Sequence, residues 1–207
     1  LANIHHPNVV RVVNFFRAND TVYMVMKYER GKTLQRHIHE LGDEPMREGF
    51  LRGVFVHLLN GLREVHAQRL LHLDIKPSNI YIRQDGSPVL IDFGAARQAL
   101  SADVRQQTPM YTPGFAAPEQ YQQRERQGPW TDIYGIGATM YACLSKGPPP
   151  PSNERLDEDK YMPASQAFAG KYSPHLLELI DNMLRLDYTE RPQSVFAVQK
   201  RLVEAVP

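Results

Sequence analysis

Eight consecutive residues, His72-Leu73-Asp74-Ile75-Lys76-Pro77-Ser78-Asn79, set an Asp and an Asn five positions apart. Asp92-Phe93-Gly94 begins eighteen residues after Asp74. Carboxylate and carboxamide oxygens are hard donors, suited to Mg²⁺ that keeps several waters and bridges substrate phosphates. A carboxylate that does not hold the cation can accept a hydroxyl proton, and Lys76 can neutralise a phosphoryl group in transfer. Gly94, after Phe93, lets the backbone swing away from Asp92 without steric cost.

Short strands and a long helix must bring these residues together. Val9-Val10-Arg11-Val12-Val13-Asn14-Phe15-Phe16 and Val22-Tyr23-Met24-Val25-Met26 are β-branched and aromatic, separated by the polar turn Ala18-Asn19-Asp20-Thr21, and predict an antiparallel hairpin. After Glu29-Arg30-Gly31 the character becomes helical. Leu51, Val54, Phe55, Leu58, Leu59, Leu62 and Val65 recur with helical period, so a long amphipathic helix follows Pro45 and leads into the His72–Asn79 run. A second hairpin, Ile80-Tyr81-Ile82 and Pro88-Val89-Leu90-Ile91 about the turn Gln84–Ser87, delivers Asp92 back beside that run.

Residues 92–119 lack periodicity and predict one long ordered loop, a length that is usually functional. Residues 131–145 are apolar nearly all round and predict a buried central helix. Pro148–Pro151 opens a polar stretch to about residue 162 that reads as a stiff surface connection, with the charge run Glu154–Lys160 as solvated linker. Two helices close the chain. One is capped by Ser173 with Pro174 at its first position and Leu176, Leu177, Ile180 and Leu184 inward; the other carries Val195, Val198 and Leu202. A few strands followed mostly by helices is an α+β order.

Composition narrows the function class. With 24 Lys+Arg against 23 Asp+Glu, net charge is +1, which gives no bulk electrostatic capture of nucleic acid. No apolar run approaches the roughly 18 residues of a membrane span, and no basic-then-apolar leader opens the chain. Cys143 is the only cysteine, so no disulfide framework or CxxC site exists, and a reducing compartment is expected. His5-His6 and His37-x-His39 lack partners at metal-site spacing. Gly135-x-Gly137 lacks the preceding strand of a dinucleotide site and reads as close helix packing.

The chain resembles the C-terminal lobe of eukaryotic-type Ser/Thr protein kinases, and its wording Gly114-Phe115-Ala116-Ala117-Pro118-Glu119-Gln120-Tyr121 looks most like bacterial members. HLDIKPSN matches the pattern H-R-D-x-x-x-x-N, Asp92-Phe93-Gly94 matches D-F-G, and Ala117-Pro118-Glu119 matches A-P-E. Asp132-Ile133-Tyr134-Gly135-Ile136-Gly137 and the later Arg191 complete the order. The resemblance implies a protein-kinase-like α+β fold, with residues 1–27 the last two strands of the smaller lobe and 28–207 the large catalytic lobe. It implies transfer of the γ-phosphoryl group of ATP, with Mg²⁺ or Mn²⁺, to Ser/Thr hydroxyls of protein substrates.

Site roles follow from the same resemblance. Asp74 would be the catalytic base, Asn79 and Asp92 the metal ligands, and Lys76 the contact to the γ-phosphate, with Thr112 bridging Asp74 and Lys76. Met26 would be the gatekeeper, Lys27-Tyr28-Glu29 the hinge to adenine, and Tyr81 the floor beneath the ring. Glu119 and Arg191 would form a buried ion pair, Asp132 would cap the catalytic-loop backbone, and His72 would pack against Phe93. Thr108, four residues before Thr112, is the expected phosphosite, with Arg97 as a partner.

Leu73 stands where regulated kinases carry the Arg that receives a loop phosphate, so Thr108 phosphorylation is expected to modulate activity and not to license it. Uncharged Ser78 and Thr33 disfavour a preference for basic peptides. The Gly-rich loop and its Lys are missing from this segment, which reads either as a truncated kinase or as a natural remnant. Truncation is the reading favoured, because every catalytic element of the lobe is present. The segment alone is expected to be inactive and the parent active. Alternatives are a pseudokinase scaffold, or a small-molecule phosphotransferase of kinase-like fold, which typically lacks the Thr-Pro…Ala-Pro-Glu loop. The expected location is cytoplasmic, or the cytoplasmic face of a membrane where an anchor lies elsewhere in the parent. Oligomeric state is not legible.

Overall fold

A computed structural model describes residues 4–19, 21–92, 111–122 and 126–204. Phe93, Gly94, Arg97 and Thr108 lie outside the described residues. Strands β1 (Val12–Ala18) and β2 (Thr21–Met26) pair antiparallel, with Phe15 opposite Met24 and Phe16 opposite Tyr23. The hairpin starts later than its composition suggests. Val9 bridges Leu90, and the Val10 amide donates to the Leu90 carbonyl at 2.9 Å, so both valines are drawn into the core beneath the second sheet.

That second sheet has three antiparallel strands, β3 (Gly31–Thr33), β4 (Ile80–Arg83) and β5 (Pro88–Leu90), with β4 central. Thr33 sits opposite Tyr81 and also caps α1 (Leu34–Glu40), its hydroxyl accepting from the Arg36 amide at 3.1 Å. The periodic stretch forms α2 (Glu48–Ala67), and each of its seven periodic apolar residues is buried. Full burial of one such side chain contributes about 1.5–3 kcal/mol, which fixes both the face and the angle at which the helix exits toward His72.

Helix α3 (Pro118–Gln122) begins inside the segment read as loop, at the proline that pre-sets its first turn. Helix α4 (Pro129–Ser145) is the buried axis of the chain, with every residue from Thr131 to Leu144 inaccessible. Gly137 allows α7 (Pro174–Met183) to press against it: a Cβ at Gly137 would lie 2.7 Å from that of Met183. Gly135 does the same for the catalytic-loop side, where a Cβ would lie 3.1 Å from that of Ile75. Helix α8 (Val195–Val203) packs on α2 and α7.

Two expectations are corrected. The stretch after Pro151 is not wholly a solvated connection. It contains α5 (Ser152–Asp157), with Ser152 and Arg155 buried, followed by α6 (Ala164–Ala167). Ser173 occupies the N-cap position of α7, but its side chain makes no cap bond. Its hydroxyl instead donates to Glu48 at 2.6 Å and accepts from Arg52 at 3.0 Å, because two charged partners outcompete a neutral amide.

Candidate active site

The turn leaving α2 is built on the carboxylate of Asp132, in the first turn of α4. Asp132 accepts from the His72 amide at 2.9 Å, the Leu73 amide at 2.8 Å and the His66 ring at 2.7 Å, with its own side chain wholly buried. Leu73 is thereby held at φ 63°, a left-handed conformation that a branched residue adopts at a cost of about 1–2 kcal/mol. The turn re-aims the chain from the buried His72 to the partly exposed Asp74.

Around Asp74 three side chains converge. Asn79 donates to its Oδ2 at 3.0 Å and to its carbonyl at 2.8 Å. Thr112 donates to Oδ1 at 3.0 Å, while Lys76 Nζ lies 3.0 Å from Oδ2 and donates to the Thr112 hydroxyl at 2.8 Å. With its amide nitrogen committed, Asn79 presents Oδ1 as the atom able to meet a cation. The partly exposed Asp74 carboxylate meets donors on both oxygens, which fixes its direction.

Asp92 arrives at the same place by way of Ile91. The Ile91 amide donates to the Asn79 carbonyl at 2.9 Å, and its carbonyl meets His72 Nε2 at 3.0 Å. Asp92 follows at φ 60°, a conformation Asp tolerates. His72 is fully buried, and that burial lowers its pKa below the ordinary 6.5. A neutral ring with Nε2–H toward Ile91 and Nδ1 accepting from the Asp74 amide, at 3.2 Å, satisfies both neighbours. It ties the two carboxylate-bearing segments together. The donor set of one or two carboxylates plus a carboxamide fits Mg²⁺, which completes its shell with water and phosphate oxygens. Among the described residues no group of three His, Cys, Asp or Glu side chains could hold a metal by itself.

The strand connection Lys27-Tyr28-Glu29 is open on one side. Tyr28 is 82% exposed, and Met26 and Tyr81 are half-buried against the core. Glu29 is anchored by a two-pronged bond from Arg83, at 2.7 and 3.1 Å, and that bond lowers its pKa. Tyr81 reaches across to the Gly31 carbonyl at 3.0 Å.

Beneath the loop, Glu119 and Arg191 meet in a two-pronged pair at 2.8 and 2.9 Å, their side chains 3% and 0% exposed. Thr131 adds a hydroxyl to Glu119, and Arg191 also donates to the carbonyls of Trp130, Arg185 and Leu186.

Several residues that shape the site were not singled out from the sequence. His66 supports Asp132. Gln120 donates to the Leu73 carbonyl at 3.0 Å and accepts from the Ala117 amide at 3.0 Å. Ser152 donates to the Ala116 carbonyl at 2.7 Å. Arg155 reaches the Tyr134 hydroxyl at 3.1 Å and the Leu184 carbonyl at 3.0 Å. The only local signal was for His66, which falls one residue after the last periodic apolar position of α2. Elsewhere the candidate metal-ligand histidines have other occupations: His6 accepts from the Asn8 amide at 3.1 Å, and His37 stacks on Phe50. Cys143 is fully buried, which pushes its thiol pKa well up.

A carboxylate, a lysine and a carboxamide are thus gathered at the exit of a helix. Comparison with known proteins gives the family. Residues 1–203 match the protein kinase domain, and the chain belongs to that family. It is 32% identical over 205 residues to Serine/threonine-protein kinase B of Synechocystis, an alignment covering 92% of this chain and 34% of that protein. It is 30% identical over 208 residues to Serine/threonine-protein kinase Nek5 of Mus musculus, covering 97% and 32%. The chain thus spans about a third of the length of these curated relatives. Among solved structures, the apo form of PpkA-294 superposes with a TM-score of 0.82 at 35% identity, over 97% of this chain and 70% of that one. The Mycobacterium tuberculosis PknI kinase domain shares the fold, at TM-score 0.78 and 20% identity, over 98% and 74%.

Proposed function

We propose that the protein containing this chain is a Ser/Thr protein kinase that transfers the γ-phosphoryl group of ATP to protein hydroxyls. The observation that carries this reading is the closed set of contacts among Asp74, Lys76, Asn79 and Thr112. It presents a carboxylate, with both oxygens oriented, 3.0 Å from the Lys76 nitrogen. In the proposed reaction the acceptor hydroxyl donates its proton to Asp74 as its oxygen bonds to the γ-phosphorus and the bond to the ADP oxygen breaks. Lys76 stands where it can neutralise charge on the transferring group, and Thr112 holds the two side chains in register. Asn79 and Asp92 would hold Mg²⁺ or Mn²⁺, which when bound neutralises phosphate charge.

Met26, Lys27, Tyr28 and Glu29 would border adenine, with Tyr81 beneath it, and the Arg83–Glu29 bond would keep that border from swinging. Residues 1–27 would belong with the smaller lobe and 28–207 with the larger. No described helix is long and apolar enough to cross a membrane. Access to the cellular ATP pool would place the domain in the cytoplasm or on a cytoplasmic membrane face.

The test is transfer of labelled phosphate from Mg·ATP to a generic protein acceptor by the full-length protein, followed by phosphoamino-acid analysis. Label on Ser or Thr is expected. Asp74→Asn should lower kcat by about 10³-fold or more with little change in the KM for ATP, because it disturbs chemistry and not nucleotide contacts. Equal turnover by the Asn variant would remove Asp74 from this role.

A further inference from the structure

Leu73 is the point at which this chain departs from the resemblance, and its backbone is also the least relaxed part of the loop that carries Asp74. Its left-handed conformation turns the chain between His72, which is wholly buried, and Asp74, whose side chain is 15% exposed. Both polar groups of its backbone are taken by buried side chains from elsewhere in the lobe. Asp132 accepts from the amide at 2.8 Å, and Gln120 Nε2 donates to the carbonyl at 3.0 Å. Gln120 is only 3% exposed, and its other amide atom, Oε1, accepts from the Ala117 amide at 3.0 Å. Its side-chain amide is therefore fixed at both ends between the start of α3 and the loop. A buried, doubly bonded amide has one orientation, and it holds its partner in one orientation too.

We propose that Gln120 is a positioning residue for Asp74. It clamps the Leu73 carbonyl, keeps that residue left-handed against its steric preference, and so couples the segment Thr112–Ala117 to the direction of the Asp74 carboxylate. The inference rests on the kinase reading of the site. It accounts for how a loop with Leu at position 73 is kept in place: the restraint is on the backbone, and it comes from the floor of the lobe. Thr112 then meets Asp74 from the same segment whose far end Gln120 secures through Ala117, so one element controls both the carboxylate and its hydroxyl partner.

The experiment is a double-mutant cycle in the full-length protein. Gln120→Met keeps the shape and removes both hydrogen bonds. It should lower kcat by about tenfold or more, the scale of a sub-ångström misplacement, with KM for ATP unchanged. Adding Leu73→Gly removes the steric penalty that Gln120 opposes, so the double variant should recover most of the lost kcat, a non-additivity that loss of packing alone would not produce. Where Gln120→Met fails to fold, Gln120→Asn, too short to span both partners, takes its place. Hydrogen exchange at the loop amides is read in parallel, and faster exchange is expected in the single variant. Unchanged kcat in Gln120→Met, or a loss that Leu73→Gly does not repair, overturns the proposal while leaving the kinase reading intact. Absence of phosphoryl transfer in every variant and in the unchanged protein overturns the kinase reading. In that case faster loop exchange in Gln120→Met still upholds the clamp, and unchanged exchange overturns that as well.

Discussion

Two buried arginines meet the same tyrosine, one at its ring face and one at its hydroxyl. Arg191 stacks its guanidinium 5.0 Å from the Tyr134 ring centre, and Arg155 donates to the Tyr134 hydroxyl at 3.1 Å. Both also end on carbonyls of the segment that leaves α7: Arg155 on Leu184, Arg191 on Arg185 and Leu186. Buried carbonyls outside a helix or sheet ladder need partners from elsewhere, and the planar guanidinium fork satisfies several at once. The two sites differ in the counter-ion. Glu119 is as buried as its arginine, whereas the Asp159 side chain paired with Arg155 is 43% exposed. A buried cation is thus tolerated in two ways, by a buried anion, or by backbone dipoles with an anion at the water's edge.

The comparison is broken most severely at Glu119. Glu119→Ala strands the Arg191 charge in the interior and should destabilise the lobe by about 3–5 kcal/mol, read by denaturant unfolding. Unchanged unfolding curves would show that the carbonyls alone satisfy Arg191. Next in size, Arg155→Met replaces the cation with an apolar group of similar length. It leaves the Leu184 carbonyl and Tyr134 hydroxyl unpaired, at a cost of about 1–3 kcal/mol. A loss as large as that of Glu119→Ala would mean that the two sites are equivalent after all.

The smallest effect belongs to Asp159→Ala, at about 0.2–1 kcal/mol, as for other solvent-screened pairs. This last variant also has a pH signature. The hydrogen bond from Arg155 holds the Asp159 carboxyl below its ordinary pKa of 3.8, so its contribution is complete above that pH and disappears as the pH falls through the lowered value. Melting temperatures of the variant and the unchanged protein should therefore converge in acid. A gap that persists below that value would assign the effect to packing.

Arg191 and Arg155 also show what a sequence can and cannot disclose. Arg191 was legible because it stands in a recognisable order after Ala117-Pro118-Glu119. Arg155 sits in a run of charges whose local pattern is that of a solvated surface. The partners in the core that bury it, Tyr134 and Leu184, lie at separations of 21 and 29 residues. Ser173 stands at the N-cap position its sequence indicates, but its hydroxyl is taken by Glu48 from another helix, a partner no local rule discloses. The periodicity of α2 and the apolar run of α4 were legible because burial there is a repeating property of the segment itself. β3, three residues long, gave no periodic signal. In the site, Asp74, Lys76, Asn79 and Thr112 could be named from spacing and resemblance. The Gln120 contact could not, because the acceptor it serves is a backbone carbonyl, which leaves no mark on composition.

The Asp132 carboxylate has a kinetic consequence. Its partners His66, His72 and Leu73 lie 66, 60 and 59 residues away along the chain, so the turn before Asp74 is stitched by contacts that carry a large loop-closure entropy. Helices α2 and α4 can each begin to form locally, but the turn cannot settle until they have docked. In refolding from denaturant, far-ultraviolet helical signal should therefore return before protection of the amides of His72 and Leu73. The chain would pass through a period in which it is mostly helical and has no ordered loop at Asp74, a window for capture by other unfolded chains that closes when one buried carboxylate finds its donors.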